Sequence, residues 1–199
     1  KDIEIGYSSY LHLLISVFLG ILSIYCNAFA WELLLRSIIL NKDIKLNLIS
    51  LYLRTNLLKY LPGGIWHFLE RIRTLKVVIG QKNSIKIVVI EPFLMLAASL
   101  SFVPLGYWEL PFSLVFLMPL AVIFSKWFPQ VIRILEENKI KELSDGAIPF
   151  VGSEYKNKIE IINNKYLSKA FLVEIIFILL RFSSFYLCLK AFSDEYYLN

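Results

Sequence analysis

The first uncharged stretch of this chain constrains its fold more than any other feature. Residues 5–31 are 27 consecutive residues without Asp, Glu, Lys or Arg. A helix rises about 1.5 Å per residue, so this run is longer than the ~30 Å hydrocarbon thickness of a bilayer. Tyr7, Tyr10 and Trp31 stand near its ends, where we expect amphipathic rings at the headgroup level. The run therefore predicts a membrane-spanning helix at about residues 10–31.

The composition of the whole chain supports a membrane protein. Of its 199 residues, 57% are hydrophobic and only 19% are charged, whereas soluble domains have about 45–50% apolar residues. The formal net charge is +5. The basic residues flank apolar runs and do not form one solvated face, which argues against nucleic acid as a partner. Anionic lipid headgroups are the expected partners of these bases.

Further spans follow from the remaining apolar runs. Residues 87–125 contain no Lys or Arg in 39 positions, about twice the length that a bilayer needs. Two prolines, a glycine and a Tyr-Trp pair at residues 103–111 predict a turn between two antiparallel helices. A last apolar run precedes the C-terminus. The predicted spans after the first are about 87–104, 111–127 and 170–189.

Basic residues predict the orientation. They cluster in residues 36–59, 71–86 and 126–169, while the turn at 105–110 has none. The positive-inside rule then puts the three basic stretches in the cytoplasm and Lys1 outside. A chain that begins outside needs an earlier span, so we expect a single transmembrane domain, residues 1–199, cut from a longer protein.

Residues 128–169 are expected to form a cytoplasmic linker. The segment carries charges of both signs and turn signals at Asp145-Gly146 and Pro149. Its apolar spacing predicts one amphipathic helix at roughly 129–143.

Residues 46–76 do not fit an ordinary span. The segment is apolar at helical spacing, but Arg54 and Lys59 exclude a lipid-facing crossing. It is interrupted at Pro62, Gly63 and Gly64, and the basic clusters on both sides belong to the cytoplasmic face. A re-entrant helical hairpin broken at Pro-Gly-Gly fits this pattern. A loop between two interfacial helices is the alternative.

A broken helix exposes backbone groups with a definite polarity. The N–H groups of residues 64–67 would form a weak positive pole for an anion such as a lipid phosphate. Arg71 lies about two turns further on, on nearly the same face as Gly64, and could add full charge.

The segment Lys59-Tyr-Leu-Pro-Gly-Gly-Ile-Trp-His-Phe-Leu-Glu-Arg71 resembles the Tyr-x-Pro-Gly-x-x-Trp-x-x-x-x-x-Arg signature of the lysylphosphatidylglycerol synthase transmembrane-region, or flippase-like, family. Arg36, Gly80 and Glu91 also agree with it. The resemblance implies a multi-pass protein of the bacterial inner (plasma) membrane that moves an amphipathic lipid between leaflets. It also implies a separate synthase or glycosyltransferase as partner.

Three charged residues inside apolar runs leave alternatives open. Glu91 could pair with Arg71 or Arg73, bind a cationic headgroup, or extend to the interface. Glu174 and Arg181 lie seven residues apart on one helix face, too far along the axis for a direct pair, so each needs a partner from another helix. We expect Arg181, near mid-span, to face a polar interior.

The sequence predicts an all-α polytopic membrane helix bundle of about four spans plus the re-entrant hairpin. Lipid transport is the expected function; alternatives are a membrane scaffold for a lipid glycosyltransferase or synthase, and a lipid transferase. No catalytic motif, metal-ligand spacing or cofactor fingerprint occurs in the sequence. The expected substrate-binding residues are Pro62, Gly63, Gly64, Trp66, Arg71, Glu91 and Arg181.

Overall fold

The computed structural model describes residues 7–38, 47–103 and 163–193, together with Met118 and Ala121. These residues are helical or in short connections, and none of those described is in a strand. The predicted span 111–127, the amphipathic helix 129–143 and most of the linker 128–169 lie outside the described ranges. The helices are α1 (Tyr7–Ile38), α2 (Leu48–Asn56), a 3-10 turn (Leu57–Tyr60), α3 (Trp66–Ile79), α4 (Gln81–Leu100) and α5 (Asn164–Ser193).

Three segments are long and apolar enough to cross a membrane. They are Tyr7–Ile38, Asn83–Leu100 and Asn164–Phe192, and they overlap the predicted spans 10–31, 87–104 and 170–189. The described part of the chain is thus an all-helical structure with three candidate membrane-spanning helices.

The last helix begins earlier than its hydropathy predicts. Asn163 caps it, because its side-chain Oδ1 accepts from the backbone N–H of Lys165 at 3.0 Å. Leu167 and Ala170 are both buried, so the packing face continues through the first two turns. Residues 164–169 therefore belong to α5, and their assignment to the linker is wrong. Hydropathy alone does not reveal the start of a helix when its first residues are polar.

Helices α1 and α5 pack against each other in antiparallel fashion. The hydroxyl of Ser16 donates to the carbonyl of Ser184 at 2.7 Å, while the N–H of Asn163 donates to the carbonyl of Ser37 at 2.8 Å. The interface of α1 repeats every seven residues with small side chains, which allow close approach of helices in a membrane. The buried members of this repeat are Ser9, Ser16, Ser23, Ala30 and Ser37.

The opposite face of α1 carries large apolar side chains that are exposed. A soluble helix buries its large apolar residues, whereas over residues 7–30 of α1 the buried residues are small or polar. This inverted pattern is the one expected of a helix whose outer face meets lipid. The exposed residues include Leu14, Val17, Phe18, Ile21, Tyr25 and Phe29.

Trp31 does not act as an interfacial ring. The helix continues for two further turns beyond it, to Ile38, and only 1% of Trp31 is exposed. Its ring lies 5.6 Å from that of Tyr52, measured between centroids. Its ring is therefore covered by α2 and is not available to lipid headgroups.

Helices α2 and α3 are joined at the Pro-Gly-Gly sequence. Asn47 caps α2 by accepting from the N–H of Ser50 at 3.0 Å. After the 3-10 turn, Gly63 and Gly64 have φ angles of 97° and 62°, a region in which side-chain-bearing residues are strained. The indole of Trp66 donates to the carbonyl of Pro62 at 2.6 Å and closes the turn.

A single glycine joins α3 to α4. Gly80 has a φ of 84°, and its N–H donates to the carbonyl of Lys76 at the end of α3. Its own carbonyl accepts from the hydroxyl and the N–H of Ser84 in the first turn of α4. This connection reverses the chain and brings α3 alongside α4.

Candidate functional site: a buried ion pair beside a broken helix

Two oppositely charged residues meet in the core. Arg71 lies on the buried face of α3, with His67, Leu75 and Ile79 at steps of four residues. Its guanidinium Nη1 donates to Glu91 Oε2 at 2.5 Å, and the two side chains are 0% and 4% exposed. Burying a charge is costly unless it is paired and hydrogen-bonded. Each of these residues therefore depends on the other, and of the sequence alternatives for Glu91 the structure contains the pair with Arg71.

Helix α2 completes the surroundings of this pair. Thr55 Oγ1 accepts from Arg71 Nε at 3.0 Å, and the hydroxyl of Tyr52 donates to Glu91 Oε1 at 3.2 Å. The Arg71 guanidinium carbon lies 4.0 Å from the ring centroid of Tyr52 and 5.3 Å from that of Trp31. Such contacts between a cation and an aromatic ring are strongest where water is excluded.

Two hydrogen-bond donors in this cluster have no acceptor among the described residues. They are Arg71 Nη2 and Trp31 Nε1, both buried. A guanidinium has five N–H donors and no acceptor, so only part of its capacity is used by Glu91 and Thr55. The cluster can therefore donate to one or two further oxygen atoms without losing a bond that it already makes.

A second buried carboxylate belongs to α5. Glu174 is 1% exposed, and its Oε2 has no hydrogen-bond partner among the described residues. It lies within electrostatic range of Glu91 and of Lys59. Lys59 itself is exposed at the end of the 3-10 turn. Loss of hydration nevertheless lowers the pKa of the Lys59 ammonium, and the carboxylates of Glu91 and Glu174 partly offset this effect.

Two further titratable groups of the hairpin are held in one protonation state. Burial raises the pKa of Tyr52 well above its usual value, and the nearby Glu91 carboxylate adds to this. The Tyr52 hydroxyl therefore stays a donor. Burial lowers the pKa of His67 to about 4, with smaller contributions from Lys59 and Arg71, so its imidazole is neutral at physiological pH.

The tip of the hairpin is exposed. Pro62, Gly63 and Gly64 are exposed, as is 48% of Trp66. The backbone N–H groups of residues 64–67 were expected to form a positive pole. One of them, the N–H of Gly64, donates to the carbonyl of Leu61 at 3.3 Å. The charge of Arg71 is directed to Glu91 and not to this turn, because the buried face of α3 points at α4.

Arg181 lies apart from the pair. It is seven residues beyond Glu174 on α5 and borders a cavity of about 550 Å³ between α1, α4 and α5. Its side chain is exposed. The cavity is lined by Ser16, Ser99, Phe177, Ile178, Arg181, Phe182, Ser184, Phe185 and Cys188.

The structure thus brings Arg71 and Glu91 together, while Pro62, Gly63, Gly64 and Trp66 form the exposed turn. Sequence reasoning missed Tyr52, Thr55 and Trp31 as members of the site. One signal was available, because Tyr52 and Thr55 share the face of α2 that also carries the buried Leu48.

Within the described ranges, no group of three or more His, Cys, Asp or Glu side chains is arranged to hold a metal ion.

No protein family model, curated protein or solved structure matches this chain.

Proposed function

We propose that this protein is a flippase-like lipid transporter of the bacterial inner membrane, similar to the lysylphosphatidylglycerol synthase transmembrane-region family. In this proposal the broken hairpin and the Arg71–Glu91 pair bind an anionic headgroup during its passage between leaflets. The observation that carries the proposal is a fully buried ion pair with unused donors, located halfway along a candidate membrane span.

The depth of the pair follows from its position relative to Gly80. Arg71 precedes this glycine by nine residues and Glu91 follows it by eleven, or about 14 and 16 Å along the two helices. The first residue of α3, Trp66, is about 21 Å from the same point, whereas α4 extends for about 30 Å. The Pro-Gly-Gly turn is therefore level with the second half of α4, and this supports a re-entrant hairpin.

The surface of the hairpin also supports insertion into the membrane. A solvated turn normally carries polar residues, whereas the exposed residues around this turn are largely apolar. The exposed residues on either side of Pro-Gly-Gly are Leu57, Lys59, Tyr60, Leu61, Ile65 and Trp66. Lys59 is the one charged residue among these six.

Headgroup binding at this pair would add an acceptor to donors that are not used by Glu91 or Thr55. A phosphate oxygen that reaches Arg71 can accept from Nη2 and from Trp31 Nε1, and the guanidinium fork suits phosphate geometry. Arg71 keeps its bonds to Glu91 and Thr55 in this arrangement, and Glu91 keeps the hydroxyl of Tyr52 as a second donor. A polar crevice of this kind lowers the cost of bringing a charged headgroup through hydrocarbon.

The test separates transport from folding. In the double variant Arg71→Met/Glu91→Leu, apolar side chains replace the pair, a change that often leaves stability intact. Acyl-NBD phosphatidylglycerol in vesicles with the reconstituted full-length protein reports leaflet exchange by dithionite reduction. We expect exchange in the unsubstituted protein and its loss, by at least tenfold, in the double variant.

The matched control is a second Arg–Glu pair of the same hairpin, Arg54 and Glu70, which lie 3.9 Å apart with the Arg54 side chain 79% exposed. Arg54→Gln/Glu70→Gln should exchange lipid as the unsubstituted protein does. Undiminished exchange in a folded Arg71→Met/Glu91→Leu protein would reject the role of the pair. Absence of exchange in the unsubstituted protein would reject transport itself.

A further inference from the structure

We propose that the cavity between α1, α4 and α5 binds one anionic phospholipid, with Arg181 on its phosphodiester and the Phe side chains against its acyl chains. The site is distinct from the Arg71–Glu91 pair, because neither Arg71 nor Glu91 lines this cavity. Binding there does not require exchange between leaflets, so the inference goes beyond the proposed function.

The polar side chains of the cavity identify Arg181 as its anion ligand. The hydroxyls of Ser16 and Ser184 each donate to the other's backbone carbonyl, at 2.7 and 2.8 Å. The hydroxyl of Ser99 donates to the carbonyl of Met95 at 2.9 Å. With the serine protons thus engaged, the donors left to a ligand are those of the guanidinium.

Arg181 itself has no hydrogen bond or ion pair with any described residue. An uncompensated guanidinium within a membrane span is costly. A phosphodiester would satisfy it with two parallel N–H···O bonds. The charge and the donor geometry of the cavity therefore favour a phosphate monoanion.

The apolar lining favours an amphiphile over free phosphate. Phe177, Phe182 and Phe185 border the same cavity as Arg181. A cavity of about 550 Å³ is within the range of ligand pockets and holds a headgroup with the first part of its chains. Tyr186 and Leu189 continue an exposed apolar surface along α5, 64% and 54% exposed, against which the remaining chains can lie.

A second cation supports this choice of ligand. Lys59 lies within electrostatic range of Arg181, and the Arg181 charge makes a minor contribution to lowering the pKa of the Lys59 ammonium, after loss of hydration and Arg71. An anion bound at Arg181 would relieve the repulsion between the two side chains.

The experiment is a lipid titration by native mass spectrometry. Full-length protein in detergent is titrated with phosphatidylglycerol and, separately, with phosphatidylcholine, and the first bound lipid gives a Kd. We expect preference for phosphatidylglycerol and a roughly fivefold loss of that preference in Arg181→Gln, the factor expected for one basic residue. The control Lys169→Gln, an exposed cation of the same helix, should retain it.

A second variant protects the test from a folding artefact. Ser99→Phe fills the cavity while keeping Arg181, and should weaken the binding of phosphatidylglycerol in a protein of unchanged helix content. Equal affinity for phosphatidylglycerol in Arg181→Gln, Ser99→Phe and unsubstituted protein would overturn the proposal. Displacement of the lipid by millimolar inorganic phosphate would contradict the choice of a phospholipid over free phosphate as the ligand. Retention of the lipid would support this choice.

Discussion

At the scale of single residues, the Arg71–Glu91 pair determines which substitutions the core tolerates. Each side chain is almost fully inaccessible, and each has a second polar contact from α2, through Thr55 or Tyr52. A buried ion pair is weak evidence for stability, since apolar residues often replace it without loss. The pair is therefore not required for the stability of the core, and the proposed headgroup binding would give it a role.

A single replacement in the pair should therefore lower the free energy of unfolding, whereas replacement of both residues should not. Arg71→Met alone leaves Glu91 buried without its counter-charge, and we expect a loss of about 3–5 kcal/mol in the free energy of unfolding. Arg71→Met/Glu91→Leu should be neutral or stabilised by up to about 4 kcal/mol. Chemical unfolding in mixed micelles, followed by circular dichroism, measures both. A double variant as unstable as the single one would contradict a pair that is dispensable for folding.

His67 gives the hairpin a definite pH dependence. Its pKa is lowered to about 4 in the folded protein, against about 6.5 in an unfolded chain. Between these values the unfolded state binds more protons, so stability falls as the pH is lowered from about 6.5 toward 4. In His67→Gln this contribution is absent, and thermal midpoints across that window should decline less steeply than in the unsubstituted protein. Thermal midpoints that decline equally in the two proteins would contradict this role of His67.

At the scale of helices, the packing of α1 on α5 depends on small side chains every seven residues. Ser16 is 7% exposed and contacts Ser184, and a Cβ placed on Gly20 would lie 3.4 Å from the Ser184 hydroxyl. The two helices therefore approach within van der Waals contact at this level. Without a hydrophobic force between helices in lipid, close packing is the principal source of their association.

Enlarging this interface should separate the two helices. Ser23→Leu introduces extra carbon atoms at a fully buried position of the same seven-residue repeat, and we expect a loss of about 1–3 kcal/mol in unfolding free energy. Val17 lies on the exposed face of the same helix and is 61% exposed, so Val17→Leu should change stability by less than about 0.5 kcal/mol. Equal losses in both variants, measured by unfolding in micelles, would contradict the assigned interface.

The sequence predicted the helices better than the contacts between them. Apolar runs identified α1, α4 and most of α5, because the need to match a bilayer thickness depends on local composition alone. The start of α5 was misplaced because Lys165 and Lys169 are polar, although Leu167 between them is buried. The pairing of Arg71 with Glu91 stayed open among alternatives because it depends on how Gly80 aligns α3 with α4.

At the scale of the whole molecule, the described helices place polar chemistry at two depths along one bundle. The Arg71–Glu91 pair lies level with the middle of α4. The Arg181 cavity lies about 10 Å beyond Glu174 along α5, and large apolar side chains cover the outside of the first half of α1. A largely apolar exterior with a buried ion pair and one cavity bordered by an arginine is suited to binding amphipathic molecules.

The depth of the Pro-Gly-Gly turn tests this arrangement most directly. A spin label at Leu61→Cys, with Cys26 and Cys188 replaced by Ala, reports its depth in reconstituted bilayers through its accessibility to oxygen and to a water-soluble nickel chelate. We expect oxygen to dominate, with a depth close to that of a label at Leu96→Cys on the exposed side of α4. Access to the nickel chelate equal to that of a label in bulk water would contradict a re-entrant hairpin and, with it, the proposed headgroup site.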